Sequence, residues 1–248
     1  MNTIRFLFLA ALSALSCSAL HASQLQLTAP TGSGKFGEKV SVLPNGNVVV
    51  VDTRFDDGAT VDVGAVHLFK PDGTLISTLK GSTTNDRIGS EGITILGNGN
   101  FVVRSNNWDN GAIVNGGALT WVNGESGLNA VVSASNSIVG STNGDTIGGS
   151  VTPLGLNNYV FLMPNWDNGA ATDAGAVRRC DGLSGGSVGA ITSANALVGS
   201  NAGDGAGMSI RFLNNSNYVV VWPGWNNGAV TDAGAATFCS GTADTTGV

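Results

Sequence analysis

Apolar residues in this chain come in short bursts of four or five, each closed off by Gly, Asn, Asp or Pro. The densest are Val48–Asp52, Phe101–Ser105, residues 159–163 and Tyr218–Trp222, filled mostly by β-branched and aromatic side chains. So short and continuous a run predicts a strand buried on both faces. A weaker burst precedes each one, at residues 39–43, 92–96, 150–154 and 209–213, across an Asn/Gly turn such as Pro44-Asn-Gly-Asn47. Asn and Gly tolerate the positive φ that a two-residue hairpin demands. A third burst follows at Ala65–Phe69, Ala118–Val122, residues 176–180 and Ala235–Cys239. A fourth is expected at Leu75–Lys80, residues 131–139 and residues 190–198. After residue 22 the apolar positions never take the helical period.

Between the second and third bursts lies a motif that occurs four times. Its clearest copy is Trp166-Asp-Asn-Gly-Ala-Ala-Thr-Asp-Ala-Gly-Ala-Val177, and the others begin at Phe55, Trp108 and Trp225. The starts are 53, 58 and 59 residues apart. A near-constant period of this size means an array of supersecondary units. A Gly-rich corner opens each unit, as in Asp86-Arg-Ile-Gly-Ser90. The whole predicts an all-β fold: a small β-propeller of four blades, each a four-stranded antiparallel meander. The blades fall at residues 36–80, 90–140, 149–199 and 208–240, within a repeat domain of residues 23–248. The last unit has no fourth burst. The segment at residues 24–28, Gln24-Leu-Gln-Leu-Thr28, aligns with Ser137-Ile-Val-Gly-Ser141 and Ala196-Leu-Val-Gly-Ser200. It is therefore expected to close the last blade, hiding two sheet edges. The rival arrangement is an open array.

Composition narrows the function. The 248 residues carry a formal charge of −6, and few are charged, which disfavours a nucleic-acid backbone as partner. Residues 1–22 read as a secretory signal peptide: Arg5, an apolar core from Phe6 to Leu15, and small residues ending at Ala22. Cys17 lies in a partial lipoprotein box with its Leu one place late, so plain export is the default over lipid anchoring. No stretch reaches the roughly 20 apolar residues of a membrane span. Cys180 and Cys239 occupy one place in successive repeats, and equivalent positions should lie too far apart to bridge, so both are expected as apolar fillers.

Within a unit, Phe36-Gly37, Val40, Asn45-Gly46, Val48–Asp52 and Gly64-Ala-Val-His-Leu-Phe69 follow one another in a set order. Ile88-Gly89, Ile147-Gly148 and Ala206-Gly207 stand in the Phe-Gly place. This order resembles the FG-GAP repeat of integrin-α-type β-propellers, and the Trp-Asp-Asn-Gly form resembles repeats of bacterial secreted and haemagglutinin-like surface proteins. The resemblance implies a propeller that engages surfaces or proteins. FG-GAP repeats often carry a calcium loop of spaced Asp between their first two strands. Those turns here hold Asn and Gly, so no metal site carries over and no cofactor is expected.

Repeat position marks the candidate residues. Trp108, Trp166 and Trp225, with Phe55, form either an aromatic wedge between blades or an exposed platform for a sugar or a protein. Asp167, Asp173 and Asp232 sit in the same loops and complete the candidate ligand-binding set. Asp173 and Asp232 face Asn115 in another copy, and Asp109 and Asp167 face Asn226, an exchange that suits hydrogen bonding better than metal charge. Asp86, Asp145 and Asp204 are expected to cap the Gly-rich corners through their side chains. His67 is the one imidazole after residue 22, and the Gly-x-Ser-x-Gly matches at residues 182–186 and 185–189 have no helix or later His to complete a nucleophile elbow. The sequence thus reads as a non-enzymatic, exported binding or adhesion module acting on a protein or glycan at a cell surface. A lectin-like propeller using the Trp ring is the alternative, ahead of a ligand-free structural array or a glycoside hydrolase.

Overall fold

A computed structural model describes residues 25–248; the expected signal segment, Cys17 and Gln24 lie outside the described residues. All regular structure among them is strand. The first unit holds β1 (Lys39–Val42), β2 (Val48–Asp52), β3 (Ala65–Phe69) and β4 (Leu75–Lys80). The second holds β5 (Gly92–Ile95), β6 (Phe101–Ser105), β7 (Ala118–Val122), β8 (Ala130–Val131) and β9 (Ile138–Val139). The third holds β10 (Ser150–Leu154), β11 (Asn158–Met163), β12 (Ala176–Asp181), β13 (Gly189–Ala190) and β14 (Leu197–Val198). The fourth holds β15 (Ser209–Phe212), β16 (Tyr218–Trp222) and β17 (Ala235–Cys239). Four sheets result, one built on the first three strands of each repeat, and those three pair antiparallel in chain order.

Hairpin chemistry sets the register of the first two strands. Asn45 Oδ1 accepts the Asn47 N–H, Gly46 takes φ 86°, and the β1–β2 ladder runs from Val42↔Val48 to Lys39↔Val51. Alternation then sends the two faces of β6, and likewise of β11, into two different cores. Phe101 and Val103 of β6 join Val49, Val51 and Leu68 of the first unit, while Val102 joins Tyr159 and Phe161 of the third. In the same way Val160 joins Tyr218, Val220 and Trp222 of the fourth. The cores therefore lie between sheets, as stacked repeats require, because one sheet cannot bury its own faces. Side-chain amides clasp the stack at its turn end. Asn45 and Asn47 donate to Gly124 O at 3.0 and 2.9 Å, Asn98 and Asn100 both donate to Gly182 O at 2.9 Å, and Asn158 donates to Gly241 O at 2.8 Å.

Two sequence expectations are corrected. The fourth strand of the second and third units is not one segment. A turn at residues 133–136, where Asn136 Oδ1 accepts the Ser133 N–H at 2.9 Å, splits it into β8 and β9. β9 pairs with its own β7, but β8 reaches back and adds to β4 of the preceding sheet, in parallel. β13 reaches back to β9 likewise, and Gly247 makes a parallel bridge to Leu197 at β14. The sheets are thus not pure antiparallel meanders. Nor does the amino-terminal segment close the fourth sheet. Residues 25–28 lie in no strand, and the Leu25 side chain sits over Gly73 in the β3–β4 turn. Among the described residues, no strand pairing and no hydrogen bond joins the first unit to the fourth. The fourth sheet is left with three strands and β17 at its edge.

Candidate functional site

The repeated motif is a self-supporting loop. Its second residue accepts the backbone N–H of the residue six places on: Asp56 from Asp62, Asp109 from Asn115, Asp167 from Asp173 and Asn226 from Asp232, at 2.7–2.8 Å. The donor residues sit at φ 54°, 50°, 52° and 50°. Asp and Asn carry the least strain of any side chain in that left-handed region. Either a carboxylate or an amide oxygen meets the need, so Asp and Asn interchange. The loop then passes close under the next corner. A Cβ on Gly117 would fall 2.2 Å from Ile147 O, which excludes every larger residue.

The corner aspartates are consumed by the backbone. Asp86 is fully buried; its Oδ2 accepts the Ser82 and Thr83 N–H groups at 2.7 and 2.8 Å, and its Oδ1 accepts the Asp109 N–H of the next unit at 3.1 Å. Asp145 binds Ser141, Thr142 and Asp167 the same way, and Asp204 binds Ser200, Asn201 and Asn226. Each carboxylate ties a corner to the following motif. Among the described residues no cluster of three or more His, Cys, Asp or Glu is placed to hold a metal ion.

Other reactive groups are equally enclosed. His67 is buried beside Phe36, Phe55 and Phe69, with ring centroids 5.6–6.3 Å away. Burial pushes its pKa down to about 4, outweighing the upward pull of the Asp52 carboxylate. Cys180 and Cys239 are unpaired and buried, and burial pushes the Cys180 thiol up to about 11.

The six candidate residues do not converge. Trp108 and Trp166 are each 3% exposed. They pack in separate cores with Val139 and Val198, the outer strands of their own sheets. Phe55 is buried too, so the platform of exposed aromatics is replaced by wedges. Asp167 is half-buried and held by Thr142 Oγ1 at 3.0 Å, while Asp173 and Asp232 are exposed in the loops of different units. Trp225 alone of the three tryptophans is half-exposed.

Trp225 lines a groove of about 390 Å³ along the outer edge of β17, with Leu197, Val198, Trp222, Thr237 and Thr245. The cause lies in the topology. β3, β7 and β12 are each covered by an outer strand, and among the described residues β17 is not. The middle residue of the third strand records the difference. His67 Nδ1 meets Thr78 Oγ1 at 2.9 Å, Thr120 Oγ1 meets Ser137 Oγ at 2.7 Å, and Arg178 Nη2 donates to Ser187 O at 2.8 Å. Each partner comes from the segment following its third strand. Thr237, in the same place, faces the groove. Trp225 was legible as a candidate from its repeat position; Thr245 lies in a tail that carries no motif and was not.

A family model described as a repeat of unknown function (DUF5650) matches the chain four times, over residues 42–90, 95–149, 153–208 and 212–248. A search of curated proteins finds no match. Each of the first three matches runs from the end of one first strand, through the motif, into the next Gly-rich corner. With four such copies spanning most of its length, the chain belongs to the DUF5650 repeat family.

Proposed function

We propose that the chain is an exported, non-enzymatic adhesion module that takes an extended segment of a protein partner into the groove beside β17. The groove itself carries this reading. It joins a free strand edge to the apolar faces of Trp222 and Trp225. A strand edge offers main-chain hydrogen bonds to any extended peptide, and flanking pockets select its side chains. The likeness of the repeat to FG-GAP repeats, which engage surfaces or proteins, supports the same use. So does the fate of the ionisable groups, since the corner aspartates and His67 serve the scaffold.

A synthetic peptide with the outer-strand sequence Ser-Ala-Asn-Ala-Leu-Val-Gly-Ser tests the groove. Titration should shift the emission of Trp225, and Trp225→Phe should remove that change. An unchanged spectrum at millimolar peptide would count against the proposal. Beads coated with the chain should adhere to a protein-bearing surface, and Trp225→Ala should release them. A carbohydrate ligand is the second reading, favoured by the three threonines, Thr237, Thr245 and Thr246, that line the groove together with Trp225. Glycan-array binding lost in Trp225→Ala, with no response to peptide, would put it first.

A further inference from the structure

We infer that the strand filling the groove is residues 25–28 of a second copy of this chain, so that copies join head to tail. The inference rests on the groove accepting an extended segment, and it names that segment. Repeat register supplies the first argument. Leu79-Lys80, Ile138-Val139 and Leu197-Val198 begin nine residues ahead of their corner residues Ile88, Ile147 and Ala206. Each pair lies on the third strand of its own sheet, with the leucine or isoleucine opposite Val66, Leu119 or Val177. Leu27-Thr28 stands nine residues ahead of Phe36. By register it is a fourth strand whose third strand is not in its own unit.

The two ends of the array are covered differently: at the near end Phe36 and Phe55 already enclose His67 and Phe69, and the exposed positions are those of β1. At the far end, Val219, Val221, Ala236 and Phe238 form the face of the fourth sheet turned away from the third. The pairs in the place of Val219 and Ala236, which are Val49 and Val66, Val102 and Leu119, and Val160 and Val177, are at most 3% exposed, because the following sheet covers them; Leu68, Trp121 and Arg179, in the place of Phe238, are buried or half-buried. Phe238 is 62% exposed and Ala236 is exposed as well. At the near end, Val40 and Val42 are 57% and 65% exposed. Ile93, Val151 and Ile210, in the place of Val40, pack against the core shared with the preceding unit. Among the described residues no sheet follows the fourth and none precedes the first, and residues 25–28 are left out of every sheet. A second copy placed as a fifth unit repeats the internal junction: Leu27 and Thr28 meet Ala236 and Ala235, and Val40 comes over the open face. Such a contact is heterologous, so it propagates rather than closing at two.

Sedimentation velocity on the full chain at rising concentration tests this. The expected result is a lengthening series of species. Phe238→Asp and Leu27→Asp, both at unburied positions, should each return the protein to monomer, weakening association by at least about tenfold as for loss of one interface anchor. Far-UV circular dichroism should show both variants folded. Under oxidation, Thr28→Cys combined with Ala235→Cys should give an intermolecular ladder that neither single variant gives. A chain that stays monomeric while the outer-strand peptide still shifts Trp225 overturns the inference and leaves the groove reading standing. Monomer with no peptide binding sinks both. A cross-linked band of monomer size would mean that the segment closes its own ring, and a dimer indifferent to Leu27→Asp would mean a tail-to-tail contact; either result refutes head-to-tail joining.

Discussion

The third and fourth units carry nearly the same motif and treat it differently. Trp166 is 3% exposed, and Trp225 is half-exposed. Ala176 and Val177 are buried, whereas Ala235 is half-buried and Ala236 is exposed. The strands align residue for residue, so the local sequence does not make the difference. β14 covers β12 and the fourth sheet covers the third; among the described residues nothing of that kind covers β17. In a stacked array a residue's burial belongs to the junction, not to the repeat.

The sharpest way to break this comparison is to truncate both tryptophans. Trp166→Ala should cost about 3–5 kcal/mol by chemical denaturation, the usual range for an enclosed aromatic, and Trp225→Ala well under half of that. Equal losses would show that Trp225 is as enclosed in solution as Trp166. Next in size is an acid effect confined to the first unit. His67 has a folded pKa of about 4 against an ordinary 6.5, so the unfolded chain takes the proton first as pH falls. Stability is full above pH 6.5, is lost progressively between 6.5 and 4, and levels off below, with a span of about 3 kcal/mol. In His67→Leu the part of the acid sensitivity between those pH values should vanish; an unchanged pH profile would refute the burial argument.

Smaller again is the loss of a corner. Asp145→Ala leaves three part-buried N–H groups without their acceptor and should cost about 2 kcal/mol. Asp145→Asn should recover part of it, since an amide oxygen still accepts. The smallest effect belongs to Phe238→Asp, which should stay within about 0.5 kcal/mol of wild type in the monomer, as exposed sites do. A loss of several kcal/mol there would mean that the outer face of the fourth sheet is already covered.

Three strands of every unit were legible because continuous β-branched runs between Asn/Gly turns have no other good conformation. The all-β class and the four repeats followed from them. The interchange of Asp and Asn at residues 115, 173 and 232 reads in the sequence as side-chain hydrogen bonding, whereas in the structure these residues donate their backbone N–H and are selected by their left-handed φ. The break between β8 and β9 does not show in the apolar pattern, although Ser133-Ala-Ser-Asn136 and Thr192-Ser-Ala-Asn195 are turn signals of the same kind. Their Asn side chains accept from Ser133 and Thr192 and donate back to Val131 O and Ala190 O. The exposure of Trp225 could not be read at all, because Trp108 and Trp166 look identical to it until the partners of β7, β12 and β17 are known. Closure by residues 25–28 failed for a related reason: register says what a strand is, but not which molecule's edge it joins.

The backward reach of β8, β13 and Gly247 sets an order of events for the growing polypeptide. A chain stopped after Val122 would already hold every residue of β1 to β4, yet that first sheet would still lack its outermost strand. Each layer is thus finished by its successor, and during synthesis the newest layer is always the unfinished one.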